Sequence, residues 1–156
     1  MKILFPFLFL IAYNNNLFAQ SLTINVEFPK FDTFNYLKDL KTQVSIKVVN
    51  KNLIGAKVSN IKGHNFYYDV EKEVNGMYIS LNDSTCYNNS DYILPEGGMK
   101  LIDFKKGESI FELKYFPPFC CSYKSAKYRV RCVFWYYINN ERKVISSSWK
   151  NFNTNN

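Results

Sequence analysis

The sequence predicts an all-β fold, a two-sheet antiparallel sandwich of about seven to eight strands. Three observations carry this. Apolar and polar residues alternate with period two in segment after segment, turn signals separate those segments, and no stretch longer than a turn has helical periodicity. A chain of 156 residues, 47% hydrophobic and 18% aromatic, has the composition of one globular domain. Mean hydropathy of -0.25 excludes a polytopic membrane protein.

Leu22, Ile24, Val26 and Phe28 alternate with Thr23, Asn25 and Glu27, the pattern of a half-buried strand, which Pro29 ends. Val44, Ile46 and Val48 repeat that pattern and stop at Asn50-Lys51-Asn52; residues 31–40 between them suit a short helical turn. Residues 65–71 are β-rich, and residues 77–81 read as their hairpin partner across Asn75-Gly76, a pair that favours a type I′ turn. Residues 82–96 form a polar loop that carries Cys86 and two glycosylation sequons, Asn82-Asp83-Ser84 and Asn88-Asn89-Ser90. After the Gly97-Gly98 turn, residues 99–104 make a short strand and Lys105-Lys106-Gly107-Glu108 a second turn. In the strand that follows, Phe111, Leu113 and Tyr115 alternate with Ile110, Glu112 and Lys114, until Pro117-Pro118 ends the ladder.

The strongest strand spans residues 126–138. Tyr128, Val130, Cys132, Phe134 and Tyr136 fall on one side, and Arg129, Arg131, Val133, Trp135 and Tyr137 on the other. Asn139-Asn140 turns the chain into a last strand over residues 142–152. There Ile145 and Trp149 share one face and Val144 and Phe152 the other, a mixed phase that predicts a bulge between them.

The segment Ser125-Ala126-Lys127-Tyr128-Arg129-Val130-Arg131-Cys132-Val133 resembles the F strand of immunoglobulin-like and fibronectin type III-like sandwiches, with a Tyr near the strand start. The Lys106-Gly107-Glu108-Ser109 turn and the closing strand with Trp149 are similar to small secreted bacterial proteins of that class. The likeness covers about the last third of the chain well and the first half by pattern, and Phe66, Tyr67 and Tyr68 stand where antibody-type domains keep a buried Trp. It implies an architecture and brings no catalytic or binding residues with it.

Met1 and Lys2, an apolar run over residues 3–13, a polar Asn14-Asn15-Asn16 break and Leu17-Phe18-Ala19-Gln20 have the order of a secretory signal peptide. The run is too short for a membrane span, which needs about 20 apolar residues. Residues 1–19 are therefore expected to be removed, leaving residues 20–156 as a single domain, secreted or periplasmic. The net charge of +7 is spread singly along the chain, a solvated lysine surface rather than a nucleic-acid footprint. All four Cys lie past the leader, so disulfides are expected among Cys86, Cys120, Cys121 and Cys132. A bond between adjacent Cys120 and Cys121 needs a strained ring, which leaves Cys86 with one of them and Cys132 with the other.

Catalytic chemistry has little to work with. The one His, His64, sits in a Gly63-His64-Asn65 turn and reads as an exposed loop residue. No phosphate-cradling glycine loop is present, no Cys and His spacing suits a metal, and no cofactor is expected. Asp69, Glu71 and Glu73 line one strand face, where oxygen ligands for Ca²⁺ are conceivable but a solvated face is the expected reading. Arg129, Arg131, Trp135 and Tyr137 on the outward side of the long strand, and Phe116, Phe119 and Tyr123 in the loop that precedes it, are residue types found at interface hot spots. The expectation is a non-enzymatic binding or adhesion-type module for a protein or surface glycan. The alternative is a secreted inhibitor of a protease or similar enzyme that inserts a disulfide-braced loop over residues 116–123. Intact mass of the exported chain should correspond to a start at or next to Gln20; a membrane-bound species that retains Met1 would overturn the leader assignment.

Overall fold

The computed structural model describes residues 22–30, 33–35, 42–61, 63–81, 98–115 and 125–155. The expected leader over residues 1–19, Cys86, Cys120, Cys121, Phe116, Phe119 and Tyr123 lie outside these residues. The described chain contains no helix and eleven strands: β1 (Leu22–Glu27), β2 (Thr33–Asn35), β3 (Gln43–Asn50), β4 (Lys57–Ser59), β5 (Phe66–Val74), β6 (Met77–Ser80), β7 (Leu101–Asp103), β8 (Ser109–Tyr115), β9 (Ala126–Ile138), β10 (Glu141–Ser146) and β11 (Lys150–Asn155). Eleven exceeds the expected count because β2 and β4 are three-residue strands, too short for alternation to reveal, and because the closing strand is interrupted into β10 and β11. Where a helical turn was expected after residue 31, Thr33–Asn35 is instead extended and pairs in parallel with β11.

A three-stranded sheet, β1-β3-β8, packs against a larger eight-stranded one organised around β9. Alternation decides which side chains meet between them. Val44, Ile46 and Val48 of β3 face Phe66, Val70, Tyr128, Val130, Phe134 and Phe152 of the larger sheet, all buried. Phe134 lies 4.9 Å from Phe66 and 6.3 Å from Phe104, and Tyr128 stacks on Phe152 at 5.5 Å, so aromatic rings fill most of the layer.

Two hairpins use the turn chemistry that the sequence announces. Asn75 and Gly76 both have positive φ, 52° and 78°, which a type I′ turn requires and which Asn and Gly tolerate. Asn139 and Asn140, at 51° and 65°, do the same between β9 and β10.

The expected bulge is present. Ser146 pairs with Val133 and Lys150 with Val130, so three residues, 147–149, face two on β9. Ser147 fills the break: its N–H donates to the Cys132 carbonyl at 2.9 Å and its hydroxyl accepts the Cys132 N–H at 3.1 Å. The extra residue reverses the phase. Ile145 before it and Phe152 after it both face the core, whereas Val144 faces outward across from Trp135, so Val144 and Phe152 do not share a face as the unbroken count had them.

Cys132 is the one cysteine among the described residues. Its side chain alternates inward with Tyr128 and Phe134, is fully buried, and is a free thiol in this structure. Its cross-strand neighbour on β5 is Tyr68, and Cys120 and Cys121, its expected partners, lie outside the described residues.

Asn50, fully buried at the end of β3, ties two loops together. Its Nδ2 donates to Leu53 O at 2.9 Å and Phe104 O at 2.6 Å, and its Oδ1 accepts the Leu53 N–H at 2.8 Å. Its backbone carbonyl accepts the Gly107 N–H at 2.7 Å. Asn50→Ala strands three buried backbone groups, and should lower unfolding free energy by about 3 kcal/mol, since each unsatisfied group costs about 1 to 3 kcal/mol. Denaturant titration of wild type and variant measures it.

Candidate functional site

The outer face of β5 and β9 is built by register. Antiparallel pairing sets Asp69 opposite Arg131 and Glu71 opposite Arg129. Each guanidinium gives two N–H groups to one carboxylate oxygen: Arg131 Nε and Nη2 reach Asp69 Oδ2 at 2.9 and 2.7 Å, and Arg129 grips Glu71 Oε2 in the same way. Lys127 Nζ lies 3.8 Å from Glu73 Oε2 and completes a three-rung ladder. The three acids therefore meet cations already in place, which removes the reading of a Ca²⁺ site. Among the described residues no three His, Cys, Asp or Glu side chains converge as a metal site.

Aromatic rings cover these ion pairs. Tyr78, placed opposite Glu73 by the β5–β6 hairpin, lies 4.2 Å beneath the Arg129 guanidinium. The bulge projects Trp149 outward, and its ring centre is 4.5 Å from both Arg129 and Arg131. A half-exposed ion pair contributes about 0.2 to 1 kcal/mol and each ring contact about 0.5 to 1 kcal/mol. Both guanidiniums are thus engaged at once by a carboxylate and by aromatic rings within the face.

Beyond the ladder the face becomes aromatic. Trp135 meets Tyr137 edge-on at 5.7 Å and His64 edge-on at 4.8 Å. Across on β10, Val144 lies opposite Trp135 and is exposed, and Arg142 lies opposite Tyr137 with its guanidinium 5.9 Å from the Trp135 ring centre. Arg142 forms no ion pair among the described residues. The 63–65 turn is fixed from below: buried Asn65 accepts the Ser59 N–H at 2.9 Å on its side chain, and its carbonyl accepts the Trp135 N–H at 2.9 Å. His64 is consequently not the isolated loop residue the sequence implied. It packs on Trp135, and burial lowers its imidazole below the ordinary 6.5.

Of the residues singled out from sequence, the structure gathers Arg129, Arg131, Trp135 and Tyr137 on one face and adds Tyr78, Trp149, Arg142 and His64. Trp149 was missed because only the phase change at the bulge brings it there.

Inside the sandwich, reasoning from sequence overlooked a polar group. On β8 the inward residues are Ile110, Glu112 and Lys114, and Phe111, Leu113 and Tyr115 face solvent. Glu112 Oε1 accepts the Gly63 N–H at 2.8 Å, and Lys114 Nζ donates to the Gly63 carbonyl at 3.4 Å. Burial lowers the Lys114 ammonium and the Glu112 carboxylate opposes that shift. Burial also drives the Cys132 thiol far above its usual range, more strongly than nearby Lys114 pulls it back, so the sulfur is no nucleophile at neutral pH. A cleft of about 540 Å³ opens beside this group between β4, β7 and β8, with Phe66, Ile102 and Phe104 in its walls.

No protein-family model, curated protein or solved structure matches this chain.

His64 gives the site a pH signature. Its lowered value in the folded state means that the unfolded chain binds the proton more readily, so stability is complete above 6.5 and falls as pH drops below it. The wild-type melting temperature should decline between pH 7.5 and 5.5 more than that of His64→Gln, measured by parallel thermal scans.

Proposed function

We propose that the protein is a secreted, non-enzymatic binding module of immunoglobulin-like architecture whose partner, a protein or a surface glycan, docks on the outer face of β9 and β10. Strand order supports the architecture. β1-β3-β8 corresponds to A-B-E of an immunoglobulin-like sandwich, and β5, β6, β9 and the interrupted β10–β11 strand correspond to C, C′, F and G.

One observation carries the functional reading: Trp135, Tyr137, Val144 and Arg142 form a contiguous aromatic, aliphatic and cationic surface beside a rigid, charge-balanced ladder. Interface hot spots combine these features. Trp, Tyr and Arg supply contact area or directional hydrogen bonds at small entropic cost once held in place, and here the flanking Arg129, Arg131 and Trp149 stack holds the surface flat. Electrostatic neutrality along the ladder leaves Arg142 to set charge preference.

Glycan-array binding and pull-down from the native secretome, each run with wild type, Trp135→Ala, Tyr137→Ala and Lys47→Ala, test the proposal. Lys47 is exposed on the opposite sheet and serves as the control. Trp135→Ala should weaken the captured interaction by more than about 1 kcal/mol, a hot-spot loss, with the melting temperature retained. Equal capture by Trp135→Ala and Tyr137→Ala would overturn the assignment of this face.

A further inference from the structure

We infer that β8 is a self-association edge, and that two copies of this chain join their three-stranded sheets by antiparallel pairing of β8 with β8 about a two-fold axis at Leu113. β8 is a terminal strand of its sheet and pairs only with β3 among the described residues. The Asn50 N–H donates to the Glu108 carbonyl at 3.0 Å, which fixes the hydrogen-bonding phase. Residues 110, 112 and 114 direct their backbone groups to β3, so Phe111 and Leu113 direct theirs to the open edge. The side chains of Phe111, Leu113 and Tyr115 are also 55%, 53% and 49% exposed, a continuous apolar stripe on the same strand.

The occupant follows from charge. Glu112 and Lys114 point inward, and an inward charge on an edge strand ordinarily repels an added strand, which would seal it from water. A second β8 is different. With the axis at Leu113, Glu112 of each copy lies opposite Lys114 of the other, Phe111 lies opposite Tyr115, and Leu113 meets its own copy. Moving the axis to Glu112 or to Lys114 sets like charges against each other, so the sequence Phe111-Glu112-Leu113-Lys114-Tyr115 favours this register over its two nearest neighbours. The contact is isologous and closes at two copies, which makes a six-stranded sheet, β1-β3-β8 joined to its mate.

Sedimentation equilibrium of the exported chain under reducing agent, over a concentration series through the micromolar range, tests this. Wild type should reach twice the monomer mass, Leu113→Lys should remain monomeric with an unchanged melting temperature, and Val144→Lys, on the other sheet, should associate as wild type does. Phe111→Thr keeps strand propensity and guards against misfolding of the Lys variant; it should weaken association about fivefold, because two Phe111–Tyr115 cross-strand pairs are lost per dimer. Monomeric wild type throughout the series, wild-type association by both β8 variants, or loss of association in Val144→Lys alone would overturn the inference.

Discussion

Everything in the larger sheet hangs on the two edges of β9. Along one edge its backbone pairs with β5 over seven positions and then reaches β4; along the other it pairs with β10 and, past the bulge, with β11. Because side chains alternate strictly along an extended chain, this two-sided pairing makes a slip of β9 by one residue prohibitive: it would expel Val130 and Phe134 from the core and drive Arg129 and Arg131 into it. The hydrophobic layer and the outer ladder are thus two consequences of one register. Burial on the inner side sets the phase, and the ion pairs on the outer side inherit it.

That same dependence explains what the sequence could disclose. The alternation of β9, the Asn75-Gly76 and Asn139-Asn140 turns and the presence of a bulge are local signals, and they were legible because the physics behind them acts within a few residues. The three-residue strands β2 and β4 carry no period to read and are held by the hydrogen bonds that their neighbours supply. The inward turn of Glu112 and Lys114 was hidden for a different reason. Their apolar neighbours Phe111, Leu113 and Tyr115 have the greater claim to the core by residue type, and the register with β3, pinned by Asn50 and Gly107, overrides it.

The site shows the same division. Arg129, Arg131, Trp135 and Tyr137 could be placed together because they lie on one strand, but Asp69 and Glu71 are about sixty residues distant in sequence and their partnership is a property of the β5–β9 register. Cys132 has its own lesson: a thiol buried on the inner side of β9 behaves as a small hydrophobe, and its ionisation is suppressed by the medium that surrounds it.

The bulge at residues 147–149 acts as the chain's parity counter. Upstream of it, outward positions on the closing strand are even-numbered, and downstream the numbering reverses, so a single deletion there would behave like a frameshift confined to six residues, turning Phe152 to solvent and Asn151 to the core. A two-residue change would leave the phase intact. Length variation in this hairpin is accordingly permitted in pairs at the Asn139-Asn140 tip and forbidden singly at its base, and any relative or redesign that alters the strand must keep the odd residue or rebuild the face that Trp149 completes.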